Sequence, residues 1–274
     1  MAVFPTSSHH YPLGDGEVSY LRADYEGSGT TVWIHGFLEH SLMWTPLWES
    51  LRLDGTHILI DLPGHGNTDS FSNTHSMDFM AECVELALRD AEITGLVRLI
   101  GHSMGGYTAL AYAERYPERI QALMLYHSTA YPDSEEKKVQ RDRAIKAIEE
   151  GRVMFIKEAV RNLFAADLRE RKSAEIEQAT QWAIQTDPRG IAAAMRGMRD
   201  RPDRRELFTD SPNAFAVVGM LDPAVDAQRE ASFLKYESRV ETIILPQAGH
   251  MSHLEETDAA VQALQDFLDK TAQK

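Results

Sequence analysis

The chain has 274 residues, 43% of them hydrophobic, which is enough for one sizeable α/β domain with an insertion or for two small domains. A formal net charge of −14 argues against nucleic acid or an anionic membrane as partner. No apolar run approaches the ~20 residues of a membrane span, the single Cys83 excludes an internal disulfide, and Met1 to Leu13 lacks the basic start and apolar centre of a secretory leader, so a cytoplasmic protein is expected.

In chain order, Tyr11 to Tyr25 reads as a hairpin in which Val18, Tyr20 and Leu21 follow a turn at Gly14-Asp15-Gly16. Thr30 to Ile34 is a buried strand running into His35-Gly36-Phe37-Leu38, where the glycine lets a backbone N–H turn toward a ligand. Leu42 to Leu51 suggests a helix carrying Trp44, Leu47 and Trp48, followed by a strand at His57–Ile60 and a sharp turn at Asp61-Leu-Pro-Gly-His-Gly66. Ser76 caps a helix to about Glu92, with Met77, Met80, Ala81, Val84 and Leu88 on one face and Cys83 in the same core-packing pattern. The apolar run Leu96 to Ile100 is the next strand; it breaks at Gly101-His102-Ser103-Met104-Gly105, and a helix-compatible stretch follows to Tyr116. Ile120 to Tyr126 is a further strand. Strands alternating with helices at these lengths imply right-handed crossovers and a mostly parallel sheet.

The rhythm changes after Tyr131. Up to Arg205 there is no convincing strand, only amphipathic helical patterns such as Val139–Ile148, Met154–Phe164 and Ile176–Ile184. The strand pattern resumes at Ala214–Val218 and Val240–Leu245, ahead of a helix at about Thr257–Leu268. A core of residues 1–130 and 206–274, with a helical cap inserted at 131–205, fits better than two independent domains.

Chemistry concentrates at the loops. Strand, Gly-x-Ser-x-Gly, helix is the context in which a strained turn exposes a serine hydroxyl beside a helix N-terminus. A side chain at position 101 or 105 would collide with the neighbouring strand or helix. The hydroxyl needs a base, and the base an orienting carboxylate. Past the inserted helices, Asp222 follows the strand ending in Val217-Val218, and His250 follows the last strand in Leu245-Pro-Gln-Ala-Gly-His250-Met-Ser-His253. Both fall where a parallel sheet presents its strand C-terminal ends, beside Ser103. Asp226 is a rival for Asp222, although it falls in the next helical pattern. His253 is a rival for His250. No HExxH or Cys/His cluster suggests a metal, and no GxGxxG or P-loop suggests a nucleotide, so no cofactor is expected.

These motifs resemble those of the α/β-hydrolase superfamily, in its serine-nucleophile branch, over nearly the whole chain. The resemblance rests on the His-Gly-Phe loop, the Asp-Leu-Pro-Gly-His-Gly turn, the Gly-His-Ser-Met-Gly-Gly elbow and the closing Gly-His-x-x-His-x-Glu. It implies Ser103 as nucleophile, His250 as general base and acid, Asp222 as its orienter, and the backbone N–H groups of Phe37 and Met104 as an oxyanion hole. It leaves His253 to brace the loop with Glu255, and His35, His65 and His102 to structural hydrogen bonding. Serine at the elbow departs from the dehalogenase and epoxide hydrolase branches, which use aspartate there.

The resulting expectation is a carboxylesterase of the EC 3.1.1 type, acting on short to medium acyl esters. Phe37, Trp44, Met104, Phe155, Phe164 and Trp182 are the apolar candidates for its chamber. The run Arg196-Gly-Met-Arg-Asp-Arg-Pro-Asp-Arg-Arg205 reads as a solvated helix end and loop, or as a clamp on a substrate carboxylate through Arg196 or Arg199. The clamp would suit an enol-lactonase or a carbon–carbon bond hydrolase. A slow or non-hydrolytic ligand receptor on the same fold is the alternative from another class.

Overall fold

The computed structural model describes residues 3–5, 7–151 and 153–272. Its centre is an eight-stranded sheet built from β1 (Ser8–Leu13), β2 (Gly16–Asp24), β3 (Thr30–Ile34), β4 (Thr56–Ile60), β5 (Val97–His102), β6 (Ile120–Tyr126), β7 (Ala214–Gly219) and β8 (Val240–Leu245). The strand order is β1-β2-β4-β3-β5-β6-β7-β8; β1–β2 and β2–β4 pair antiparallel, and every other pair is parallel. The parallel strands are apolar on both faces because helices cover both. Alternation along the strand divides the side chains: Val32 and Ile34 of β3 enter one core, and Trp33 enters the other.

Helices α1 (Thr45–Trp48), α2 (Met77–Asp90) and α3 (Met104–Arg115) precede the long excursion from the sheet. The excursion carries α4 (Glu135–Glu149), α5 (Val153–Arg161), α6 (Ser173–Gln185) and α7 (Pro188–Arg199), with α8 (Arg205–Asp210) leading back to β7. Helices α9 (Ala227–Leu234), α10 (Ser252–Glu255) and α11 (Thr257–Thr271) complete the chain. The first core lies under α2 and α3, where Ser76 Oγ accepts the Phe79 N–H at 3.1 Å as the cap and Cys83 is buried. Burial there pushes the Cys83 thiol up to about 12, so it is packing rather than a nucleophile. The second core lies under α11, with Trp33 against Trp44 at 5.1 Å and Trp48 at 5.5 Å. A third cluster, including Phe164, Ile176 and Ile191, joins the excursion helices to Leu38, Met251 and Leu254 of the core loops.

Two local expectations shift. The hairpin begins at Ser8, three residues ahead of the apolar signal, because exposed His9 and His10 still pair across to Tyr20 and Ser19. The helix expected over 42–51 is a 3-10 turn at Ser41–Trp44 followed by the four residues of α1. Its tryptophans are held by the sheet core rather than by a long amphipathic helix.

The β5–α3 junction is the tightest in the fold. A Cβ on Gly105 would fall inside contact distance of the Ile34 and His35 carbonyl oxygens, and one on Gly101 would strike the Gly105 main chain. These are backbone atoms that cannot rotate away. Gly105→Ala is expected to cost about 3 kcal/mol of stability, measurable as a lower midpoint in urea unfolding; an unchanged midpoint would contradict the packing described.

Candidate active site

Ser103 stands between β5 and α3 at φ 50° and ψ −113°, a conformation that costs free energy for a residue with a side chain. The surroundings fix it: its N–H donates to Tyr126 O at 3.0 Å, and its own carbonyl accepts Ser128 Oγ–H at 2.7 Å. Met104 opens α3, so its N–H is one of the donors a helix cannot satisfy internally. The facing loop is folded by its own bonds, Gly36 N–H to Glu39 Oε2 at 2.8 Å and Glu39 N–H to Gly36 O at 3.4 Å.

Asp222 and His250 meet. His250 Nδ1 lies 2.7 Å from Asp222 Oδ2, and each side chain is 2% exposed. The other carboxylate oxygen accepts the N–H groups of Ala224 at 2.8 Å and Val225 at 2.9 Å. The two loops are also stitched through Met220 N–H to Leu245 O and Leu221 N–H to Ala248 O, each 3.0 Å. Burial alone would raise the Asp222 pKa; the imidazoles of His250 and His127 more than offset that and hold the carboxyl far below its ordinary value. Ser103 and His250 line one cavity of about 370 Å³, together with Phe37, Tyr107, Leu163 and Met198. Asp222 thus contacts His250, and His250 shares this cavity with Ser103. Asp226 is instead the N-cap of α9, accepting the Arg229 N–H at 3.0 Å.

The pocket expectations fare differently. Phe37 lines the cavity, but Trp44 is wholly buried in the sheet core and Phe164 in the cluster beneath the excursion helices. Phe155 packs against that same cluster, and Trp182 faces His40 in a separate cavity, with ring centroids 5.2 Å apart. Arg196 reaches Glu149 and the Asn73 carbonyl, and Arg199 pairs with Asp142 and Asp200. Neither is free to grip a carboxylate. Instead α4 supplies polar groups to the cavity: Lys137, Gln140 and Arg141, with exposed Glu136. Nothing in the helical period of α4 marked that face, since only packing selects it.

Of the other histidines, His35, His65, His127 and His253 are buried. His35 Nε2 accepts the Leu62 N–H at 2.8 Å while Nδ1 lies 2.7 Å from Gly36 O, and His65 Nδ1 lies 3.2 Å from Pro63 O. Burial holds His35 down at about 4 and His65 at about 3. His253 does not pair with Glu255; its Nε2 is 3.5 Å from Glu39 Oε1. Glu255 instead accepts the main-chain N–H groups of Ala165 at 2.6 Å and Met251 at 3.1 Å, tying the excursion to the His250 loop. His127, unremarked in the sequence, has Nδ1 3.5 Å from Asp222 Oδ2 and Nε2 2.6 Å from Ser252 Oγ. It follows β6 directly, so the strand-end rule that found Asp222 also points to it.

Among the described residues, one trio of donors of metal-binding type comes together, Glu39, His102 and His253, with atoms within 4.8 Å of one another. Glu39 Oε2 and His102 Nδ1 are 2.7 Å apart, a hydrogen-bond contact in which a proton already occupies the place between them. We assign the trio no metal. No helix among the described residues is long and apolar enough to cross a membrane.

A family model for the alpha/beta hydrolase fold matches residues 32–257, and the chain belongs to that family. A protein of Bacillus subtilis (strain 168), provisionally named 2-succinyl-6-hydroxy-2,4-cyclohexadiene-1-carboxylate synthase, is 30% identical over 93% of this chain and 96% of its own length. A thermophilic esterase from Thermogutta terrifontis, with malate bound, superposes with a TM-score of 0.87 at 26% identity, covering 98% of this chain and 100% of that one. The enol-lactonase from Burkholderia xenovorans LB400 shares the fold at a TM-score of 0.84 and 24% identity, over 95% of this chain and all of that one.

Burial pushes Glu255 up to about 7, against the pull of the main-chain donors it accepts. An acid whose folded pKa exceeds its unfolded value of about 4.3 costs stability progressively as pH rises between the two, with the full cost present above the folded value. Glu255→Gln is therefore expected to melt relatively higher, against wild type, at about pH 8 than at about pH 5. A pH-independent difference in Tm would contradict the titration.

Proposed function

We propose that this chain is a serine hydrolase that cleaves a carboxylic ester through an acyl-enzyme. The observation that carries the reading is the buried 2.7 Å contact of Asp222 with His250, in a cavity that His250 shares with Ser103. Ser103 Oγ attacks the carbonyl carbon as His250 takes its proton. The N–H groups of Phe37 and Met104 receive the oxyanion. The alcohol departs with the proton from His250, and water repeats the sequence on the acyl-enzyme. Asp222 orients the imidazole and stabilises its charged form.

The cavity wall favours an ester that also carries a carboxylate. Lys137 reaches the cavity with the Ala224 carbonyl as its hydrogen-bond partner, at 2.7 Å. Behind it one buried carboxylate, Asp133, is shared by Arg141 and Arg201. Among the charged side chains lining the cavity, Lys137 and Arg141 outnumber exposed Glu136, in a chain of net charge −14. Malate in the Thermogutta esterase and the carboxylate in the name of the Bacillus relative agree with this. In this reading Lys137 takes the place expected of Arg196.

Ser103→Ala is expected to lower turnover of p-nitrophenyl esters by roughly 10⁴–10⁶ with circular dichroism unchanged; ordinary turnover would refute the nucleophile. Lys137→Gln is expected to raise KM about tenfold for a hemisuccinate ester and little for a neutral ester of equal length. Equal effects on the two esters would remove the carboxylate preference while leaving the serine mechanism standing.

A further inference from the structure

His102 precedes the elbow serine at the end of β5 and is almost fully buried. Its Nε2 lies 3.0 Å from the main-chain oxygen of His250, and its Nδ1 lies 2.7 Å from Glu39 Oε2. A carbonyl oxygen can only accept, so Nε2 carries a hydrogen. Beside an ionised Glu39, whose Oε2 can only accept and also takes the Gly36 N–H at 2.8 Å, Nδ1 carries one as well. A ring with hydrogens on both nitrogens is an imidazolium.

We infer that Glu39 and His102 form a second carboxylate–imidazolium pair, buried behind the first, and that His102 is a positioning residue holding the main chain of His250. The inference rests on the serine-hydrolase reading. The rings facing His102 are those of His250 at 5.0 Å, His253 at 5.3 Å, Tyr126 at 5.6 Å and His127 at 6.2 Å, and Glu39 is the acid in contact with it. Burial pulls the His102 pKa down, but the Glu39 carboxylate reverses this and leaves it raised, while Glu39 is held at about 2.

The geometry gives the pair a task. His250 is gripped at its N–H by Leu163 O at 3.1 Å, at its carbonyl by His102, and at its ring by Asp222. His102 is also the covalent neighbour of Ser103, so one side chain links the backbone of the nucleophile to that of the base. Small errors in that separation are costly, since a displacement near 1 Å can lose about 10²-fold in rate.

The test combines kinetics with ¹⁵N NMR of the histidine rings in the whole chain. In wild type at pH ~8, the His102 ring, assigned by its loss in His102→Gln, is expected to show two protonated nitrogens. His102→Leu is expected to lower kcat by about 10–100-fold with KM within about threefold. His102→Gln, whose amide N–H reaches the same carbonyl, should recover most of that loss. Glu39→Gln should return His102 to a singly protonated ring and lower kcat in the same sense. A neutral His102 in wild type, or unaltered kcat in both His102→Leu and Glu39→Gln, overturns the inference even when a fluorophosphonate labels Ser103 rapidly. Failure of wild type to be labelled at Ser103 would instead remove the serine reading and this inference with it.

Discussion

A carboxylate taken out of water is costly unless its charge is answered on the spot. Asp222 is answered by two main-chain N–H groups and the imidazole of His250, with His127 beside the same carboxylate oxygen as His250. That arrangement fixes the ring of His250, and everything around the cavity is built to keep it so. The β7 and β8 loops are stitched to each other, and the His250 N–H is bonded to the excursion at Leu163. The elbow cannot relax, because Gly101 and Gly105 leave no room for a longer side chain. Pairing in the sheet, rather than any property of the loops alone, brings these groups to one edge.

The polar interior extends well beyond Asp222 and His250. His35, His65, His102, His127, His250 and His253 are all buried around the strand C-terminal ends, with Glu39 and Glu255 among them. Burial keeps His35, His65, His127 and His253 neutral at ordinary pH, so they serve as hydrogen-bonding bodies rather than charges. Two of the buried groups contact His250 directly, His102 at its main-chain oxygen and Asp222 at its ring. The excursion helices meet this centre through main-chain contacts at Leu163 and Ala165 and through the polar face of α4.

The sequence by itself determined the parts whose physics is local. A strand breaking into Gly-His-Ser-Met-Gly and then a helix has few geometries open to it, and Ser103 takes the strained one. Buried parallel strands announce themselves as continuous apolar runs, so β3 to β8 and the positions of Asp222 and His250 just beyond their strands were legible, as was the cap at Ser76. Only the tertiary structure decided which side chains of the excursion face Ser103. Trp44, Phe155, Phe164, Trp182 and Arg196 have the right chemistry for a pocket, but packing against other elements draws each of them elsewhere. Lys137 and Arg141, by contrast, look in sequence like ordinary exposed helix residues. Glu39, His102 and His253 are scattered over more than two hundred positions, so no spacing rule could have joined them. Helical period fixes which residues share a face; only the docking of one element on another fixes what that face meets.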